Sequence, residues 1–143
     1  MGRNRGFSLT EIMVVVAILA VLACIAYPVY TGYLDGGKRS EAATNLEQIR
    51  LLAEERFALN GAYGADGLYN GVAAVQGLLP DWEPPNNLIY DYYIQVSNAG
   101  QDFLAGAVPG ANAPGDAAIG GAPVANTVAT IDDNNQRQGA NFW

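Results

Sequence analysis

Apolar positions along this 143-residue chain follow two regimes. From Ile12 to Ala26 every side chain is apolar, and between Phe7 and Tyr30 only Ser8, Thr10 and Glu11 are clearly polar. Coiled as a helix, a stretch of that length crosses a ~30 Å hydrocarbon core. After Gly37 the apolar positions thin to a helical repeat of Ala42, Leu46, Ile49, Ala53 and Phe57. Glu41, Glu47, Arg50, Glu54 and Arg56 are placed mainly for solvent, and Glu47 with Arg50 forms an ordinary surface pair. The pattern predicts one long helix from Leu9 to about Asn60. It is interrupted or bent near Pro28, because proline removes a backbone hydrogen bond and clashes with the preceding turn. Gly32, Gly36 and Gly37 weaken the helix further. Asn60-Gly61 closes it, since glycine suits the left-handed conformation just past a helix end.

Beyond Gly61 the period changes. Residues 62–87 read as an irregular connection with Pro80, Pro84 and Pro85, in which Val72–Val75 with Leu78 and Leu79 forms a short helix or turn folding back on the long helix. Strand patterns follow at Leu88–Val96 and Phe103–Val108, joined by a turn at Ser97–Gly100. Residues 109–123 are Ala-, Gly- and Pro-rich and read as a surface loop. Thr127–Asp132 is a third strand, Asp133–Asn135 a turn, and residues 136–143 hold a short fourth strand. The expected fold class is α+β: an antiparallel sheet with one apolar face laid on the Ala42–Phe57 stripe.

Charge narrows the function. The formal net charge is −7, with 14 acidic and 7 basic side chains. An acidic exterior argues against general nucleic-acid binding, which needs basic clusters. The chain lacks histidine, a C-x-x-C pair, a P-loop and a G-x-S-x-G element. Common acid–base triads and zinc sites are therefore excluded. Glu54 and Glu55 are adjacent and point to different helix faces, so they do not form a carboxylate dyad. Asp132-Asp133-Asn134 resembles a turn and lacks the spaced oxygen ligands of a calcium loop. No enzyme, metal or cofactor is expected.

The informative residue is Glu11. A carboxylate at the edge of a membrane span is expensive, on the order of 2.5 kcal/mol or more near the bilayer centre, and such residues are usually functional. Before it stands a short basic leader, with Arg3 and Arg5, ending in Gly6-Phe7. A secretory signal is cut after its hydrophobic region; here the conspicuous glycine precedes that region. Gly6, Phe7, Thr10, Glu11 and the apolar run that follows resemble the class III leader and N-terminal helix of type IV prepilins. Pro28, Tyr30 and Tyr33 continue the likeness, which is strong over residues 1–60 and loose beyond. It implies a leader of residues 1–6, a long helix over 7–60 with a membrane-spanning half at 7–30, and a sheet head over 61–143. In that family a membrane peptidase cuts after the glycine and methylates the new amine, making Gly6 and Phe7 the cleavage residues and Phe7 the modified one. The implied product is the structural subunit of a pilus filament. Its implied partners are other copies of itself, the prepilin peptidase and the inner-membrane assembly machinery. The subunit waits in the inner membrane with a cytoplasmic N-terminus, as the basic leader favours, and then enters an extracellular fibre. Adhesion, twitching, DNA uptake and secretion are all built on such fibres.

Physical chemistry adds an assembly role for Phe7 and Glu11. A positive amine at Phe7 and the Glu11 carboxylate lie four residues apart, and subunits in a helical array are shifted axially. Glu11 of one copy then meets the amine of another, an ion pair that fixes register because mispaired states strand a charge. The local competitor is a capping box, Ser8-x-x-Glu11. Two departures from the family pattern stand out. Ala20 occupies a position, eight before Pro28, where pilins often carry glycine. A single cysteine, Cys24, cannot pin a C-terminal loop. Phe7, Tyr27, Tyr30, Tyr33 and Phe57 are expected to line the inner helix of a fibre as packing residues. The alternative functions are a minor pilin or a secretion pseudopilin. A reading of a different class takes Val21-Leu22-Ala23-Cys24 as a lipoprotein signal acylated at Cys24.

Overall fold

In the computed structural model, which describes residues 6–111, 113–116 and 118–143, the fold is α+β. Helix α1 spans Leu9–Asn60, 52 residues, and runs without interruption through Pro28. The proline ring forfeits one bond to the helix, and the backbone stays helical across that gap. The Thr31 hydroxyl also donates to the Pro28 carbonyl (3.0 Å). At the far end Gly61 takes φ 74° and its N–H donates to the Phe57 carbonyl (2.7 Å), the left-handed cap the sequence implied.

Two compact units make up the chain, divided between Leu34 and Asp35, inside α1 and not at Gly61. In the first unit the large apolar side chains from Phe7 to Leu34 are all exposed. This stretch is the one helical segment among the described residues long and apolar enough to cross a membrane.

The second unit packs the rest of α1 with a five-stranded antiparallel sheet. Strands β1 (Gly67–Asn70), β2 (Tyr90–Ser97), β3 (Asp102–Pro109), β4 (Ala129–Asp132) and β5 (Arg137–Gln138) lie in chain order, and α2 (Val72–Leu78) links β1 to β2. Strand β1 was expected as loop. Its four residues are mostly exposed and begin with glycine, so no alternation marks them; pairing of Gly67 with Val96 through Asn70 with Tyr93 makes them a strand. Strand β4 is shorter than the expected Thr127–Asp132. There Thr127 turns its hydroxyl to the Val124 carbonyl (2.7 Å), bending the chain before the ladder starts.

Ala42, Leu46, Ile49 and Ala53 are buried against Tyr92, Ile94, Val96, Phe103, Ala105 and Ile131. Asn45 joins this stripe, donating to the Tyr92 hydroxyl at 3.0 Å, so the polar atoms of a buried amide and phenol satisfy one another. Tyr93 faces the other side of the sheet, across from Gly106, where a Cβ would collide with its ring. The Phe57 ring lies tilted against Tyr63 (4.7 Å between centroids), and Tyr63 meets Phe103 edge-on (4.7 Å). Phe57 is half-buried and packs against the core of the head, at the end of the Ala42–Phe57 stripe. Phe7, Tyr27, Tyr30 and Tyr33 are exposed.

Candidate functional site

At the front of α1 the backbone N–H and hydroxyl of Ser8 both donate to Glu11 Oε2, at 2.8 and 2.9 Å. The Glu11 N–H donates back to Ser8 Oγ (3.2 Å). This is a complete capping box, and it satisfies donors that a helix start otherwise leaves open. It also places a negative charge in the first turn, where the helix dipole favours it. The local reading of Ser8-x-x-Glu11 therefore holds in a single copy. Both donors fall on Oε2, and no bond among the described residues reaches Oε1. Among the described residues the carboxylate is thus half engaged, with no donor to Oε1.

Phe7 is 84% exposed and Gly6 is also exposed, with no regular structure at either. A Cβ built on Gly6 meets nothing within 4 Å, so backbone approach to the bond between Gly6 and Phe7 is open. Arg3 and Arg5 lie outside the described residues. Beside the box, Phe7, Thr10, Glu11, Ile12, Val14 and Val15 line a shallow, largely apolar groove along the helix. The structure therefore groups Gly6, Phe7 and Glu11 at one exposed helix start, and leaves Pro28 within α1 and well along the chain. Cys24 is exposed on the same apolar segment.

The head offers no comparable chemistry. Among the described residues no group of three or more His, Cys, Asp or Glu could hold a metal ion. Asp132 Oδ1 accepts the Gln136 N–H (2.7 Å) and is spent on its turn. Burial, with the Asp132 and Asp102 carboxylates nearby, holds the Asp133 carboxyl above its ordinary range. Burial pushes the hydroxyl of Tyr63 up to about 12, helped by Glu54.

One arrangement was not legible in the sequence. Asp116, in the loop between β3 and β4, has a side chain only 4% exposed. It accepts from Arg39 Nε (2.8 Å) and Asn141 Nδ2 (3.3 Å) on Oδ1, and from the Tyr90 hydroxyl (3.3 Å) on Oδ2. Burial first, then this carboxylate, raises the Tyr90 hydroxyl above its ordinary range. A lone aspartate in a low-complexity stretch carries no local signal of such a role.

The family model for the prokaryotic N-terminal methylation motif matches residues 1–27. The chain is 43% identical over 61 residues to the type IV major pilin protein PilA of Myxococcus xanthus, covering 43% of this chain and 28% of that protein. It is 36% identical over 71 residues to the fimbrial protein EcpC of Eikenella corrodens, covering 50% of this chain and 46% of that one. The match thus spans less than half the length of either relative. A solved type IV pilin from Shewanella oneidensis aligns with a TM-score of 0.49 at 20% identity, covering 76% of this chain and 97% of that one. Through its N-terminal half the chain is similar to type IV pilins.

Proposed function

We propose that this chain is a type IV pilin, the structural subunit of a filament built on its hydrophobic N-terminal helix. The observation that carries the reading is the start of α1. An exposed Gly6-Phe7 junction leads into a capped helix whose Glu11 has, among the described residues, no donor to one oxygen, followed by a long segment with no buried large apolar side chain. A segment of that kind needs a solvent other than water. Lipid serves before assembly, and neighbouring copies of the same helix serve afterwards.

The matched methylation motif over residues 1–27 supports cleavage after Gly6 and methylation at Phe7. Removing the leader leaves five basic side chains against fourteen acidic, formally −9 before the new amine is counted. The new Phe7 amine of one copy then binds Glu11 of a neighbour. The capping box does not oppose this, because it is Oε2 and not Oε1 that keeps the helix start in order. In a low-dielectric surrounding an unmatched amine or carboxylate is costly, so the pair selects register more than it adds stability. Prepilin peptidase and an inner-membrane assembly machine are the implied partners, and the role is structural, not enzymatic.

Membrane orientation is supported by the flanking charges. Arg3 and Arg5 stand on the shorter flank and nearer the apolar run than Lys38 and Arg39 do on the other side. Lysine and arginine close to a span set its orientation while acids count for little, so this short basic flank favours a cytoplasmic N-terminus. Mass spectrometry of the mature chain tests the whole reading. N-methylated Phe7 at the new terminus is expected, whereas acylated Cys24 with everything before it removed would refute the proposal.

A further inference from the structure

We infer that Asp116 is a latch that closes the β3–β4 connection and the C-terminal tail onto the head as one strap, releasable without unfolding the sheet. Its carboxylate joins segments 77, 26 and 25 residues away: Arg39 on α1, Tyr90 at the start of β2 and Asn141 in the tail. The remaining bonds within the connection are largely internal. The Ile119 N–H donates to the Thr127 carbonyl (2.6 Å), the Asp116 N–H to that of Pro114 (2.9 Å) and the Ala113 N–H to that of Gly110 (3.1 Å). Among the described residues its ends are also tied elsewhere, the Gly110 N–H to the Ile89 carbonyl, the Thr127 hydroxyl to that of Tyr93 and the Val128 N–H to the Ala107 carbonyl. Midway, Asp116 is the polar anchor among the described residues.

The tail depends on the same point. Asn141 donates to Asp116, and the neighbouring Phe142 packs its ring edge-on against Tyr90 at 5.6 Å. The strap and the tail therefore share one buried charge and one aromatic contact. Desolvation offsets much of the attraction in such a carboxylate–guanidinium pair, but removing one member is costly because it leaves the other charge uncompensated. Tyr90, Val128 and Phe142 belong to the same buried core as Leu46, Ile49, Ile94, Val96 and Phe103, but strands β2 and β3 of that core also hold a full ladder of their own, from Tyr90 with Pro109 to Ser97 with Asp102. Contiguous segments with few anchors open on their own while better-packed strands stay closed.

Amide hydrogen exchange on the full chain in detergent micelles tests this, and the outcome does not depend on filament assembly. In Asp116→Asn, amides of residues 113–128 and 139–143 should exchange at least ten-fold faster. Those of Tyr92–Val96 and Phe103–Ala107 should stay within two-fold of the unsubstituted protein. Unchanged exchange in the strap, or equal acceleration in β2 and β3, overturns the inference. Should Asp116→Asn fail to fold, Asn141→Ala decides. It should accelerate the connection as well as the tail, and acceleration confined to residues 139–143 overturns the shared latch.

Discussion

At the scale of single residues, the protein turns on side chains whose partners differ in chemistry and in reach. Glu11 is held by Ser8, three positions away, and so its capping role was readable from spacing alone. Its second oxygen takes no part in that cap, and the filament reading gives it a distinct task. Glu11→Ala should leave processing intact, because the Gly6–Phe7 junction is untouched, yet cut the yield of sheared surface filaments at least ten-fold. Wild-type filament numbers, counted by immunoblot of the sheared fraction, would remove the assembly role. Gly6→Val should instead stop cleavage, read as retention of the slower-migrating precursor, because a branched side chain would stand where the backbone is now bare. Leu46 presents the opposite case: it is fully buried and has no chemistry. Leu46→Ala should destabilise the head by about 2–5 kcal/mol in urea denaturation, the usual range for a cavity in a packed core.

At the scale of elements, the β2–β3 hairpin shows how an unfavourable backbone is held. Asn98, Ala99 and Gly100 all adopt positive φ, at 57°, 55° and 78°. Asparagine and glycine tolerate this region, whereas alanine carries a steric cost of about 1–2 kcal/mol there. Asp66 offsets it from outside the hairpin. Its carboxylate accepts the N–H groups of Ala99 (3.0 Å) and Gly100 (2.8 Å), tying the approach to β1 onto the turn. Ala99→Gly should therefore stabilise the head by up to ~1 kcal/mol, the relieved strain exceeding the added backbone freedom of glycine. A lower midpoint in thermal unfolding would show the strain account to be wrong. The same comparison explains which elements could be read in advance. Strand β2 carries a β-branched and aromatic run, β3 an apolar run from Phe103 to Val108, and a turn signal stands between them. Strand β1 has neither, and its existence depends on Val96 and its neighbours, which lie far along the chain.

At the scale of the whole molecule, the chain up to Leu34 carries an exposed apolar helix, and the rest folds around a core rich in tyrosine. Burial foremost raises the hydroxyls of Tyr63, Tyr90, Tyr92 and Tyr93. Each is neutral when protonated, so the folded head holds these protons at a pH where the unfolded chain, titrating near 10, has begun to release them. Stability is then fully present below about pH 10 and falls as pH rises through the folded value, about 12 for Tyr63. Chemical denaturation at rising pH should show the midpoint dropping across that window, and a flat profile would contradict the burial of these phenols. The sequence by itself determined the long helix, its cap at Ser8 and Glu11, its closure at Gly61, the apolar stripe of Ala42 to Ala53 and the hairpin. Each of these is governed by neighbours within a few positions or by a strict hydrophobic period. Tertiary structure alone decided that Asn45 is buried against Tyr92, that β1 completes the sheet, and that Asp116 gathers Arg39, Tyr90 and Asn141. Those outcomes depend on groups brought together from distant segments, and no local pattern of charge or polarity encodes which partner a polar side chain meets once the chain has closed.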